Sequence, residues 1–160
     1  MITLRHPVAL IITFVWVGFV CAISFLEAWL KFRAEGVTLP IGLGIGRLVF
    51  GALNKVELVL AVSIAIELLI TKGLGKRHWI VVLPFATLLL QTFFVLPALD
   101  ERAALVIAGA DPQPSNLHLV FVAMELVKVA ALVVFGAMLL RPVVRDGTGG
   151  SVVRAIGAEA

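Results

Sequence analysis

Apolar residues in this chain come in long runs rather than in alternation. Four stretches stay predominantly apolar for about 20 residues or more, the length a helix needs to cross a bilayer. They predict helices over residues 7–31, 43–72, 78–97 and 116–141. No strand-like alternation with regularly spaced turns occurs, so a barrel is not expected. Backbone groups in hydrocarbon must be bonded within their own segment, which also selects helix. The first run is too long for a cleavable signal peptide and lacks a following small-x-small site. The fold predicted is all-α: an integral membrane four-helix bundle over residues 1–142, followed by a flexible cytoplasmic tail over 143–160.

Composition narrows the class further. Apolar residues are 61% of the 160 and charged residues 14%, against about 45–50% and about 25% in soluble proteins. Mean hydropathy is +1.12. Such a chain cannot cover a globule with polar side chains, which excludes a soluble enzyme and a disordered protein. A single cysteine, Cys21, excludes a disulfide-stapled domain.

Charge in the connections sets the expected orientation. Arg5, Lys72, Lys76, Arg77, Arg141, Arg145 and Arg154 fall on the side shared by both ends and the middle loop. The other side carries Lys31, Arg33, Arg47 and Arg102 together with Glu35, Asp100, Glu101 and Asp111. The basic excess places both termini in the cytoplasm of a multi-pass protein of the cell membrane. The net charge of +3 then answers anionic lipid headgroups rather than nucleic acid. Pro40 with Gly42, Gly44 and Gly46 reads as a membrane-edge turn followed by close helix packing, not a phosphate loop, since no strand precedes it. Pro84 is expected to bend the third helix, and Pro97 to open an outer loop of about 18 residues with a short interfacial helix near Glu101–Ala108.

Ionisable residues within apolar helices are costly, so their depth is informative. Counted from the cytoplasmic edges, Glu57, Gln91, Glu125 and Lys128 lie about 13–16 residues up their helices, within roughly 5 Å of one height. Glu27, Arg47 and His118 form a second layer about 33–38 Å up, near the outer headgroups. His118, Glu125 and Lys128 share a stripe on the fourth helix, Arg47, Asn54 and Glu57 on the second, and Ser24, Glu27 and Lys31 on the first. Facing these stripes inward gives a polar bundle interior opening outward. Lys55 and Glu67 lie off the stripes; Lys55 is expected to snorkel or pair with a neighbour.

Three functions follow from that pattern. A small polar solute or cation could bind in, or pass through, an interior lined by Glu27, Arg47, Asn54, Glu57, Gln91, His118, Glu125 and Lys128. Alternatively, ion pairs such as Glu125 with Lys128 close the interior, and the protein is a structural or accessory subunit beside a membrane partner or a second copy of itself. A haem or quinone redox subunit is the third reading, and His118 is its sole intramembrane imidazole. Glu27, Glu57, His118 and Glu125 are the conceivable metal ligands, without any local ligand motif. No nucleophile–base constellation or Walker motif occurs, so no enzymatic reaction and no cofactor are specified.

The chain resembles a family of small four-helix membrane proteins that includes eukaryotic transmembrane protein 205. The likeness spreads over most of residues 6–140. It is carried by Phe32-Arg33-Ala34, by Gly46-Arg47-Leu48-Val49-Phe50-Gly51 as an Arg-x-x-Phe-Gly pattern, by Leu96-Pro97 with Glu101-Arg102, and by Leu117-His118. The chain departs from the pattern in lacking Gly after the His and in carrying Glu125 and Lys128. The resemblance implies four helices and a membrane location, marks Arg47, Phe50, Gly51, Pro97, Arg102 and His118, and brings no established activity.

Overall fold

The computed structural model describes residues 6–71 and 79–140. These form four long helices: α1 (Pro7–Arg33), α2 (Leu39–Ile70), α3 (Trp79–Ile107) and α4 (Leu117–Leu139). By length and composition α1, α3 and α4 are apolar enough to cross a membrane. The second helix is the longest, at 32 residues, and carries Arg47, Lys55, Glu57 and Glu67. The charged residues near the ends that set the expected orientation (Arg5, Lys72, Lys76, Arg77, Arg141, Arg145 and Arg154), and the tail, lie outside the described residues.

Local chemistry fixes the helix ends. Proline opens α1 at Pro7 and α2 at Pro40, in first-turn positions where its missing N–H has no partner to lose. Ser115 Oγ accepts the Leu117 N–H at the start of α4. Gly109, at φ +84°, ends α3 in a Schellman motif, with Gly109 N–H donating to Val106 O and Ala110 N–H to Leu105 O. Gly36, at φ +78°, makes the reversal between α1 and α2.

Two helix boundaries differ from those the sequence predicts. The second helix begins at Leu39 rather than at residue 43, because Pro40 suits a first turn and the glycines after it remain helical. The third does not stop at Pro97 but runs on to Ile107, absorbing the segment expected as a separate interfacial helix. A π turn over Gln91–Val95 precedes Pro97. Widening that turn relaxes the i→i−4 pattern that a proline interrupts, so the helix continues through it.

The bundle has two unlike halves. In one, the first half of α1 and of α3 packs against the last half of α2 and of α4. Trp16, Val20, Ile64, Leu68, Leu88, Leu132 and Phe135 form a closed apolar core there. His6 Nδ1 and Thr71 Oγ1 meet at 3.1 Å across the same end of α1 and α2. In the other half, which carries the loops 34–38 and 108–116, α2 packs against the end of α3 and lies close against the end of α1. Gly42 and Gly46 lie buried one turn apart, beneath Phe32 and Lys31. The outside of the bundle is largely apolar: Leu48, Ile70, Trp79, Phe94 and Leu119 are among many large exposed hydrophobic residues. Thr13, Thr87 and Thr92 donate to the carbonyl four residues earlier, so these hydroxyls are satisfied within their own helices.

A Cβ on Gly42 would fall within the ring of Phe32. Gly42→Val should therefore lower the thermal midpoint of the purified protein, at a cost of about 1–3 kcal/mol for overpacking. Phe32→Ala in the same chain should restore part of the loss.

Candidate functional site

Each helix contributes at least one side chain to a polar cluster buried at the junction of the two halves. Trp16 comes from α1, Glu57 from α2, Gln91 from α3, and Glu125 with Lys128 from α4; none is more than 3% exposed. Lys128 Nζ is the hub, 2.6 Å from Glu57 Oε1 and 3.1 Å from Glu125 Oε1. Trp16 Nε1 donates to the same Glu57 oxygen at 2.8 Å, and Gln91 Nε2 to the same Glu125 oxygen at 2.9 Å. The positions follow from helical spacing: Glu125 and Lys128 at i, i+3 share a face of α4, and Gln91 opens the π turn of α3. With both carboxylates ionised the cluster has two negative charges around one ammonium. Glu125 Oε2 and Gln91 Oε1 are buried without a hydrogen-bond partner.

Beyond this cluster, toward the loop end, lies a cavity of about 580 Å³. Phe50 and Phe121 meet edge to face in its wall, with ring centroids 5.3 Å apart. Asn54 and Thr92 also line it and are joined by an Asn54 Nδ2 to Thr92 Oγ1 hydrogen bond of 2.8 Å. Thr92 directly follows Gln91, Lys55 is two residues from Glu57 and Phe121 is four from Glu125, so the inner end of the cavity lies within about 6 Å of the charged cluster along the helices. Arg47 and Asp100 clasp α2 to α3 at its rim through two parallel bonds, Nε to Oδ1 at 2.5 Å and Nη2 to Oδ2 at 2.8 Å. Arg102 donates to the Pro112 and Gln113 carbonyls and so ties the loop after α3 back onto its helix.

The eight residues singled out from the sequence thus divide between two places. Glu57, Gln91, Glu125 and Lys128 meet, but as a closed network that does not line the cavity. Arg47, Asn54 and His118 line it. Glu27 does not; its carboxylate holds Lys31 Nζ at 3.1 Å, and Lys31 reaches the cavity instead. The reason is a π turn over Cys21–Glu27. It shifts the register of α1 by about one residue, so Ala28 takes the inward position that uniform α spacing gives to Glu27, and Phe32 joins Lys31, already on the predicted stripe, in the cavity wall. Lys55 lies off the predicted stripe yet also lines the cavity. The conceivable metal set of Glu27, Glu57, His118 and Glu125 is not assembled: among the described residues no three His, Cys, Asp or Glu side chains are grouped to hold an ion.

Trp16 was not marked by the sequence reading, and a signal for it existed. Trp29 and Trp79 sit near helix ends, as amphipathic rings do at interfaces, whereas Trp16 stands mid-helix, where its N–H needs a buried acceptor. Asp100 and Thr92 carried no comparable mark. In comparisons with known proteins, no family model, no curated protein and no solved structure matches the chain.

Lys128→Met would leave two buried carboxylates without their cation. Loss of one member of a buried pair costs about 3–5 kcal/mol, so this variant should lose most of its folded population, read as the thermal midpoint in detergent. Glu125→Gln leaves one carboxylate for one ammonium and should be far milder. Lys128→Met combined with Glu57→Gln and Glu125→Leu should recover much of the stability, since a buried ion pair replaced as a unit by neutral groups is often near neutral.

Proposed function

We propose that the protein is an integral membrane four-helix bundle that binds a small solute in the cavity at its outer end. All four helices cross the bilayer in this reading, and both termini lie in the cytoplasm. The loop end then faces outward, in accord with the basic residues concentrated at the opposite end. The observation that carries the reading is the cavity itself. It is lined by residues of helices α1 to α4, falls in the size range of small-molecule sites, and combines aromatic walls with a few convergent polar groups.

Binding is favoured over passage. Beneath the cavity the Trp16–Glu57–Lys128–Glu125–Gln91 network bonds all four helices together, and the apolar core fills the half below it. A route for ions would need that network to open. Its residues are assigned to architecture, and the solute to the space above them. The resemblance to the transmembrane protein 205 family supports the same site: Arg47, Phe50, Gly51, Pro97 and His118, which carry that likeness, all stand in the cavity wall.

Cysteine labelling tests both the site and its sidedness. In a Cys21→Ser background, His118→Cys and Lys55→Cys should react with a membrane-impermeant thiol reagent applied from outside, and Leu132→Cys should not. Gly51→Leu, whose side chain would enter open cavity space, should slow labelling at Lys55→Cys. Equal labelling from both sides, or none at either cavity position, would remove the reading.

A further inference from the structure

The charges around the cavity are unevenly matched. Lys31, Arg47 and Lys55 stand in its wall against a single carboxylate, Asp100. Two of the cations are already paired, Lys31 with Glu27 and Arg47 with Asp100. Lys31 also lies 5.2 Å from the centroid of the Phe50 ring. Lys55 is different. Among the described residues it makes no ion pair and no side-chain hydrogen bond, since every ion pair there belongs to Lys31, Arg47 or Lys128.

Its position makes that lack informative. Lys55 is eight residues along α2 from Arg47, about 12 Å deeper than the clasp at the rim. The residues one turn away on its own helix are Gly51, Ala52, Leu58 and Val59, none of which can neutralise it. In the reading that α2 crosses the bilayer, an unpaired ammonium near its middle is costly, and such residues mark candidate sites for a counter-charge. Lys55 is exposed on the open side of the cavity, and it shares the wall with Asn54 and Thr92, which are polar and neutral, and with apolar surface from Phe50, Leu96 and Phe121.

We propose that the occupant of the cavity is an amphiphilic organic anion. Its carboxylate or phosphate pairs with Lys55, and its apolar body lies against Phe50, Phe121 and Leu96. This inference rests on the cavity being a binding site and adds the sign and class of what it takes. The same acidic group could come from a lipid headgroup or from a soluble amphiphile.

The test uses the full chain in phosphatidylcholine nanodiscs, with empty discs as the blank, titrated with octanoate, octyl phosphate, octanol and octyltrimethylammonium. One of the two anions should bind at least about tenfold more tightly than the alcohol or the cation. Lys55→Met should lose at least about tenfold of that affinity, and Lys55→Arg should stay within about threefold. Weaker anion binding in discs that also contain phosphatidylglycerol would identify a lipid headgroup as the source; unchanged binding would identify a soluble amphiphile. Octanol bound as tightly as the anions, yet displaced by Gly51→Leu, would overturn the anionic class while leaving the cavity as a binding site. Anion binding unaffected by both Lys55→Met and Gly51→Leu would sink the class and the site together.

Discussion

The arrangement depends on one ammonium held between two carboxylates away from water. Lys128 is fully buried, and its carboxylate partners come from two helices. Each carboxylate in turn accepts from a further helix, Glu57 from Trp16 and Glu125 from Gln91. Apolar packing alone tolerates sliding and rotation of one helix against another. A directional network with a donor or acceptor from every helix does not, because a small slip breaks a bond that nothing nearby can replace. The cluster therefore fixes the register of all four helices at a single level.

That level also divides the molecule by chemistry. On one side, large apolar side chains from every helix close the interior. On the other, glycines draw α2 against the end of α1, and two aromatic rings and a few cations border open space rather than fill it. The Arg47–Asp100 clasp holds α2 and α3 together at the rim, so the cavity keeps its walls without a core to support them. One helix set thus supplies a rigid half and a half with room for a guest.

The sequence exposed the architecture more readily than the site. Long apolar runs give the four helices because the length and polarity requirements of a helix buried in an oily environment leave few alternatives. Matched heights of Glu57, Gln91, Glu125 and Lys128 foretold that they would meet, since a uniform rise per residue carries over from chain to space. Pairing could not be separated from a pathway at that stage, because the same residues serve either. The reach of α3 past Pro97 and the replacement of Glu27 by Ala28 at the cavity were hidden for one reason: both hinge on π turns, which ordinary helical periodicity does not reveal. Lys55 was visible only as an exception to the stripe. Its lack of a partner emerges when the side chains of neighbouring helices are in place.

The π turns at Cys21–Glu27 and Gln91–Val95 have a wider consequence. A π turn is equivalent to a single residue inserted into a helix whose successive side chains step by about 100°. Everything beyond it is rotated as a block, while everything before it keeps its place. In α1 and α3 the block that is re-aimed belongs to the open half. The cavity-lining surface of such a bundle can therefore be retuned by gaining or losing one residue at a defined point, leaving the sealed end undisturbed, so that the two halves are free to diverge at different rates in the same helices.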